Sequence, residues 1–209
     1  CNGIIPGFSQ SGGMGLLAAQ WIIEGETHYD MFAWDMARFG HWTGKAFTKA
    51  RVGDQYANRF KIHFPNEERA AGRPVRTRPV YDVQRKMGAV MGLNFGWEHP
   101  LWFADTPGVS DTNGFTRQNW WGPVGEECKM LRARGGIIDI SNFAKYVCKG
   151  PGAEDWLNAL FANRMPQHVG RSCLTPLIGT RGGIAGDFTV TKLAEDEFWI
   201  IGSGMAERY

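Results

Sequence analysis

The sequence predicts an α+β fold, with a run of short antiparallel strands toward its C-terminus and helices on one face of the sheet. Two observations carry this expectation. From residue 173 onward, "CLTPLI", "DFTVTKL" and "FWIIG" are short strand-forming runs separated by the turn segments "GTRGG" and "AEDE", and consecutive strands joined by tight turns pair antiparallel. Upstream, "PGAEDWLNALFANRMP" (151–166) places Trp156, Leu157, Leu160 and Phe161 at helical spacing, so these four are expected to face inward, with Pro166 ending the helix.

The remaining elements follow in order. Residues 1–10 read as loop, punctuated by Gly3, Pro6 and Gly7, with Ile4 and Ile5 able to end a strand. A helix follows with Ser11 as N-cap, Met14, Leu17, Ala18, Trp21 and Ile22 on one face and Gly25 as its stop. Because Leu16 and Ile23 lie off that face and are also apolar, this helix is expected to pack on more than one side. Residues 46–102 read as a connecting region with short strands, since Pro65, Pro74 and Pro79 oppose long helices. Within it, "VYDVQRKMGAVMGLNFGWEHPLWF" reads as strand, glycine-rich turn and aromatic edge. Ala104–Asn113 concentrates turn formers and is the natural linker. Pro123 marks a helix start, with Glu126 and Glu127 in the first turn, Lys129, Arg132 and Arg134 toward the end and Gly135 beyond it. Val124, Cys128 and Leu131 would form its buried stripe. "GIIDIS" and "AKYVCK" are expected as strands.

Composition excludes several functions. A chain of 209 residues that is 43% hydrophobic can bury a core. Its 23 basic and 21 acidic residues are interspersed and give a net charge of only +2, so neither nucleic acid nor an anionic membrane is an expected partner. The apolar run Met14–Ile23 is about half the length of a bilayer span. Cys1, Cys128, Cys148 and Cys173 form no C-x-x-C pair, and the five histidines form no H-x-x-x-H pair, so no metal site is expected. The start at Cys1, without a methionine and inside a turn-rich segment, reads as an internal piece of a longer protein.

Three groups of residues are candidates for chemistry. Gly12, Gly13, Met14 and Gly15 open the first helix, where small residues and unpaired N–H groups let an electron-rich ligand approach; equally, they could form a tight turn that packs the helix. Asp187 in "GGIAGDFTVTKL" shares a strand face with Thr189 and Thr191. A carboxylate there could take a proton or bind a protonated amine, although a solvated Asp closing a turn is the commoner outcome. Asp139, between isoleucines, needs a partner, and Glu67 and Glu68 suit ion pairs with Arg69 or Arg73. The aromatic residues Trp42, Trp97, Trp102, Trp120 and Trp121 suit packing between layers more than ligand stacking.

The motifs "SGGMGLLAAQWIIEGE", "DMFAWDMARFG", "PNEERAAGRP", "GWEHPLWF", "NWWGPVGEE", "DISNFAKYVCKGPGAEDWLNALFANRMP" and "GGIAGDFTVTKL" resemble, in this order, segments of the dimethylglycine and sarcosine dehydrogenase family. The resemblance implies three parts: the C-terminal edge of an FAD-binding α/β domain over residues 1–45, a small central domain over 46–102, and the first part of an aminomethyltransferase-like folate-binding domain over 103–209. It implies FAD and tetrahydrofolate as cofactors and a small methylamine as substrate. Gly12, Gly13, Met14 and Gly15 would lie against the flavin, and Asp187 near the folate and its one-carbon unit. Relatives carry Gly-Gly-x-x-Asp-Asp in this last motif, whereas here Gly186 stands at the first Asp position and Asp187 at the second. The implied reaction oxidises an N-methyl amine to an iminium and passes the one-carbon unit to tetrahydrofolate, in the mitochondrial matrix of a eukaryote or the cytoplasm of a bacterium. The chain holds no G-x-G-x-x-G for the FAD pyrophosphate, so by itself it is expected to be catalytically silent. The alternatives are a folate-dependent aminomethyltransferase-like protein without redox chemistry, which would leave the first helix unexplained, and a non-enzymatic folate-binding or assembly module.

Overall fold

The computed structural model describes residues 7–180 and 182–207. The strand end expected at Ile4 and Ile5, the reading of Cys1, and Arg181 in the "GTRGG" turn lie outside the described residues. The chain divides into two compact units, one up to Gly40 and one from His41 on.

The first unit contains helix α1 (Gly7–Glu24) and two short 3-10 turns, Phe32–Trp34 and Met36–Arg38. Residues 7–10 are therefore helical, not loop, and Ser11 is no cap: its hydroxyl donates to the Phe8 carbonyl at 3.3 Å from inside the helix. Gly25, at φ +80°, ends the helix as expected, its N–H reaching the Trp21 carbonyl at 3.2 Å. No residue of α1 is buried, and Leu16 and Ile22 are 60% and 84% exposed, so the expected packing on several faces is absent among the described residues.

The second unit begins with helix α2 (Lys45–Asn58), which corrects the expectation of short strands only. Pro65, Pro74 and Pro79 all lie beyond Asn58, so their ban on helix does not reach it. A short helix α3 (Tyr81–Lys86) replaces the strand expected there, with Asp82 in its first turn and Arg85 and Lys86 in its last, the arrangement that the helix dipole favours. Strands β1 (Ala89–Asn94) and β2 (Trp97–Phe103) then form an antiparallel hairpin through Phe95 and Gly96. Both turn residues have positive φ. Beneath Gly96 lies the Trp42 ring, and a Cβ there would sit 2.6 Å from it. Val90, Trp102 and Ala104 form a small core joined by Val109, Trp120 and Val124.

An ion pair braces this hairpin. Arg73 donates from Nε and Nη2 to the two oxygens of Glu98 at 2.9 and 2.7 Å and from Nη2 to the Met91 carbonyl at 2.8 Å, while Glu68 accepts from Nη1 at 3.3 Å. The Glu98 side chain is 2% exposed.

Helix α4 (Trp121–Arg134) starts two residues before Pro123, so Glu126 and Glu127 fall in its second turn. Its expected stripe is only partly covered: Val124 packs on the small core, but Cys128 and Leu131 stay exposed. "GIIDIS" forms no strand. Ile137 and Ile138 are 101% and 74% exposed, and Asp139 instead closes a turn onto the Ser141 N–H at 2.8 Å.

The main sheet has four antiparallel strands in the order β3-β6-β5-β4: β3 (Ala144–Lys149), β4 (Ser172–Ile178), β5 (Ile184–Ala194) and β6 (Glu197–Gly202). Helix α5 (Ala153–Leu160) lies between β3 and β4 in sequence. It ends earlier than expected because Phe161 turns extended (φ −99°, ψ 150°) and bridges to Leu177. Ala153 and Leu157, at i and i+4, form its inner face, and with Phe161 and Met165 beyond its end they pack against Phe188, Val190, Phe198 and Ile200 of the sheet. Trp156 is 57% exposed, contrary to expectation. Lys192 also falls on the inner face of β5, and its Nζ meets Glu154 at 3.0 Å and Glu195 at 3.1 Å.

Leu157 is fully buried, so Leu157→Ala is expected to lower stability by about 2–5 kcal/mol in urea unfolding. Glu98→Gln removes the charge that balances Arg73, and a loss of about 3–5 kcal/mol is expected by the same measurement.

Candidate functional site

Strand β5 determines what faces outward. Phe188 and Val190 point into the core, so the alternation of the strand places Asp187 and Thr189 on the opposite face. Phe188 stands opposite Gly202 of β6 in the register, and its ring covers both that residue and Gly186. A Cβ on Gly202 would lie 2.4 Å from the ring, and one on Gly186 would lie 2.9 Å from it. Glycine at residue 186, where the resemblance leads one to expect aspartate, thus has a local packing reason.

Asp187 and Thr189 line a cavity of about 230 Å³. Leu174 of β4 and Ile201 of β6 complete the sheet side, and Ser203 and Gly204 form one wall. Asn142 and Phe143, just before β3, form another, and Asn94 at the end of β1 faces in from the hairpin. Gly204 and Asn142 meet backbone to backbone: a Cβ on Gly204 would be 2.4 Å from the Asn142 carbonyl oxygen. Among the described residues, the Asp187 carboxylate and the Asn94 and Asn142 carboxamides have no side-chain hydrogen bond within the protein. The cavity therefore offers an anionic acceptor, two amide groups with both donors and acceptors, and the hydroxyls of Thr189 and Ser203, which together can read the polar edge of a heterocycle and hold or move a proton.

The glycine cluster is placed differently from the sequence expectation. Gly12, Gly13, Met14 and Gly15 lie inside α1 and not at its N-terminus, so their N–H groups belong to the helical hydrogen-bond ladder. A Cβ on Gly12, Gly13 or Gly15 would meet nothing within 4 Å. The described residues thus form no enclosure around this segment.

The other candidate groups are satisfied locally. Asp139 accepts from Gln84 Nε2 at 2.7 Å and from the Ser141 N–H at 2.8 Å. Burial alone would push its carboxyl up, but the hydrogen bonds from Ser141 and Gln84, with Arg78 nearby, bring it below the usual 3.8. Glu68 pairs with Arg73, while Arg69 pairs with Asp54 at 2.7 Å instead of with Glu67. Glu67 accepts the Phe64 N–H at 3.1 Å. Trp102 is buried and donates to Asp111 at 2.7 Å, and the Trp120 and Trp121 rings make a tilted contact with centroids 5.6 Å apart. Three described cysteines, Cys128, Cys148 and Cys173, are free thiols. Among the described residues no cluster of three metal-ligating side chains occurs, and no helix is long and apolar enough to cross a membrane.

Asn94, Asn142 and Ser203 carry the polar side chains of the cavity that reading the sequence did not single out. Asn142 lies in the quoted motif "DISNF", and Ser203 directly follows the strand "FWIIG". Asn94, nearly fifty residues before Asn142, carries no signal in the sequence that would bring it to Asp187.

Comparison with known proteins gives two family matches in sequence: "FAD dependent oxidoreductase central domain" over residues 24–77 and "GCVT N-terminal domain" over residues 80–209. Dimethylglycine dehydrogenase of Mus musculus is 37% identical over 95% of the chain, which corresponds to 23% of that protein. The 4-methylaminobutanoate oxidase (formaldehyde-forming) of Paenarthrobacter nicotinovorans is 31% identical over 95% of the chain and 25% of its own length. Sarcosine dehydrogenase of Mus musculus is 28% identical over 93% of the chain and 24% of its own length. The chain therefore spans about a quarter of the length of the curated relatives it matches.

Because its folded pKa is depressed, the stabilising contribution of Asp139 is present above pH 3.8 and is lost as pH falls through the lower, folded value. Carboxyl carbon NMR is expected to show Asp139 titrating with a midpoint below 3.8.

Proposed function

We propose that this chain, which belongs to the GCVT N-terminal domain family, is part of an FAD-dependent, folate-linked oxidoreductase. That enzyme would demethylate an N-methylglycine such as dimethylglycine or sarcosine and pass the one-carbon unit to tetrahydrofolate. The observation that carries the reading is the order of two families in one chain, a flavin-oxidoreductase central domain followed directly by a GCVT domain. The names of the relatives that match over nearly the whole chain support it. The division into the end of a flavin domain, a central domain and a folate-binding part belongs to the same proposal. So does a mitochondrial location in a eukaryote, matching the relatives named mitochondrial, or a cytoplasmic one in a bacterium.

The two cofactors fare differently against the described residues. The Asp187 cavity fits part of a folate: about 230 Å³ is below the ~300–1,000 Å³ of a full small-molecule site, which suits one ring system and its polar edge. Tetrahydrofolate would supply the amine nitrogens that accept the one-carbon unit. Asp187 would hold a proton at, or take one from, such a nitrogen, while Asn94, Asn142 and Thr189 orient the ring by hydrogen bonds and Leu174 and Ile201 exclude water from one side. A flavin site is not formed by the described part of α1, where the glycines face open space. The role of Gly12, Gly13, Met14 and Gly15 against FAD remains part of the proposal, and no chemical step is derived from it.

Titration calorimetry with tetrahydrofolate tests the folate reading. Asp187→Asn is expected to weaken binding at least tenfold with unchanged thermal stability, because the side chain is exposed and makes no hydrogen bond within the described protein. Equal affinity in parent and variant would remove Asp187 from the site.

A further inference from the structure

Two of the cavity walls that face Asp187 are the hairpin end at Asn94 and the turn Ser203–Gly204. One carboxylate ties these together. Glu207 ends the short 3-10 helix Gly204–Glu207 and accepts from Arg76 Nη2 at 2.8 Å through Oε1. Its Oε2 accepts from Trp97 Nε1 at 3.0 Å and from Arg76 Nη1 at 3.4 Å. Arg76 is itself fixed to the hairpin by backbone bonds, its N–H to the Gly96 carbonyl at 3.1 Å and its carbonyl to the Glu98 N–H at 2.9 Å. The guanidinium carbons of Arg76 and Arg78 lie 3.7 and 3.5 Å from the centroid of the Trp97 ring. Arg78 Nε is buried without a hydrogen-bond partner among the described residues, so this cation is held by stacking and by the nearby carboxylates Glu207 and Asp139. From the sheet side, the Tyr146 hydroxyl donates to the Ala206 carbonyl.

We propose that Arg76 and Trp97, acting through Glu207, are positioning residues that set the distance between the Asn94 and Ser203–Gly204 walls of the Asp187 cavity. The inference rests on reading that cavity as a ligand site. It gives a specific consequence to the order of the two family matches. Arg76 falls in the segment matched to the oxidoreductase central domain and Glu207 in the segment matched to the GCVT domain. The end of one matched segment therefore controls the pocket of the other. Bidentate charge-assisted bonds fix geometry as well as energy, and lysine cannot reproduce them. The Arg76 side chain is 20% exposed and that of Glu207 39%, so the clamp sits at the rim, where it can be altered without opening the core.

Hydrogen exchange and tetrahydrofolate calorimetry on the full 209-residue chain test this in parallel, with Arg76→Ala, Arg76→Lys and Glu207→Gln. In Arg76→Ala and Glu207→Gln, exchange is expected to accelerate at least tenfold at residues 204–207 and to stay unchanged in the β5–β6 ladder. The dissociation constant for tetrahydrofolate is expected to rise about tenfold in both, and Arg76→Lys to fall between these variants and the parent. Unchanged exchange at residues 204–207 in Arg76→Ala would overturn the proposal, and so would faster exchange with an unchanged dissociation constant. Failure of the parent chain to bind tetrahydrofolate would instead count against the folate reading, and the exchange data would still decide whether Arg76 holds the turn.

Discussion

The ring of Phe188 is the piece on which the rest of the second unit depends. It enters the core between α5 and the sheet, and it can do so only because Gly186 and Gly202 leave the space that its edges occupy. Once that ring is inside, the two-residue period of β5 leaves no choice for its neighbours. Val190 follows it inward, and Asp187 and Thr189 are driven to the other face, where the cavity forms. A slip of one residue would bury the carboxylate and expose the phenyl ring. The position of the proposed acid–base group is therefore fixed by hydrophobic packing on the far side of the sheet.

The hairpin is the second support. Glu98 is almost fully buried and is matched by two hydrogen bonds from Arg73, so the segment before the hairpin is tied to β2 by charge. The same segment runs on to Arg76, which joins the hairpin backbone and reaches Glu207. Two ion pairs, one buried and one at the rim, thus connect residues 73–76 to strand β2 of the hairpin and to the 3-10 helix that ends at Glu207. Charge is used here for register and placement, the role in which buried and half-buried pairs are best attested.

The first unit shows the opposite balance. The apolar period of α1 is clear in the sequence, yet Leu16, Ile22 and Ile23 remain exposed among the described residues. Periodicity reports that a helix has an apolar face; it does not report what covers it. The same limit applies at Cys128 and Leu131 of α4, which read as a stripe and lie open. It applies as well at "GIIDIS", where three isoleucines suggest a strand but no strand among the described residues pairs with them.

By itself the sequence determined the local features: the antiparallel run from residue 173, the inward set of β5, the stop at Gly25 and the turn before "DFTVTKL", because each rests on contacts within a few residues. It also carried, through its motifs, the resemblance to flavin- and folate-linked dehydrogenases. Helix limits were less accessible. The end of α5 at Leu160 depends on Phe161 bridging to Leu177, a contact made across the sheet. Only the tertiary structure decided which residues meet at the cavity. Asn94, Asn142, Asp187 and Ser203 are separated by loops, strands and a helix, and their meeting is set by strand order and by the Arg76–Glu207 clamp. Those long-range contacts depend on how elements pack, and no spacing along the chain records them.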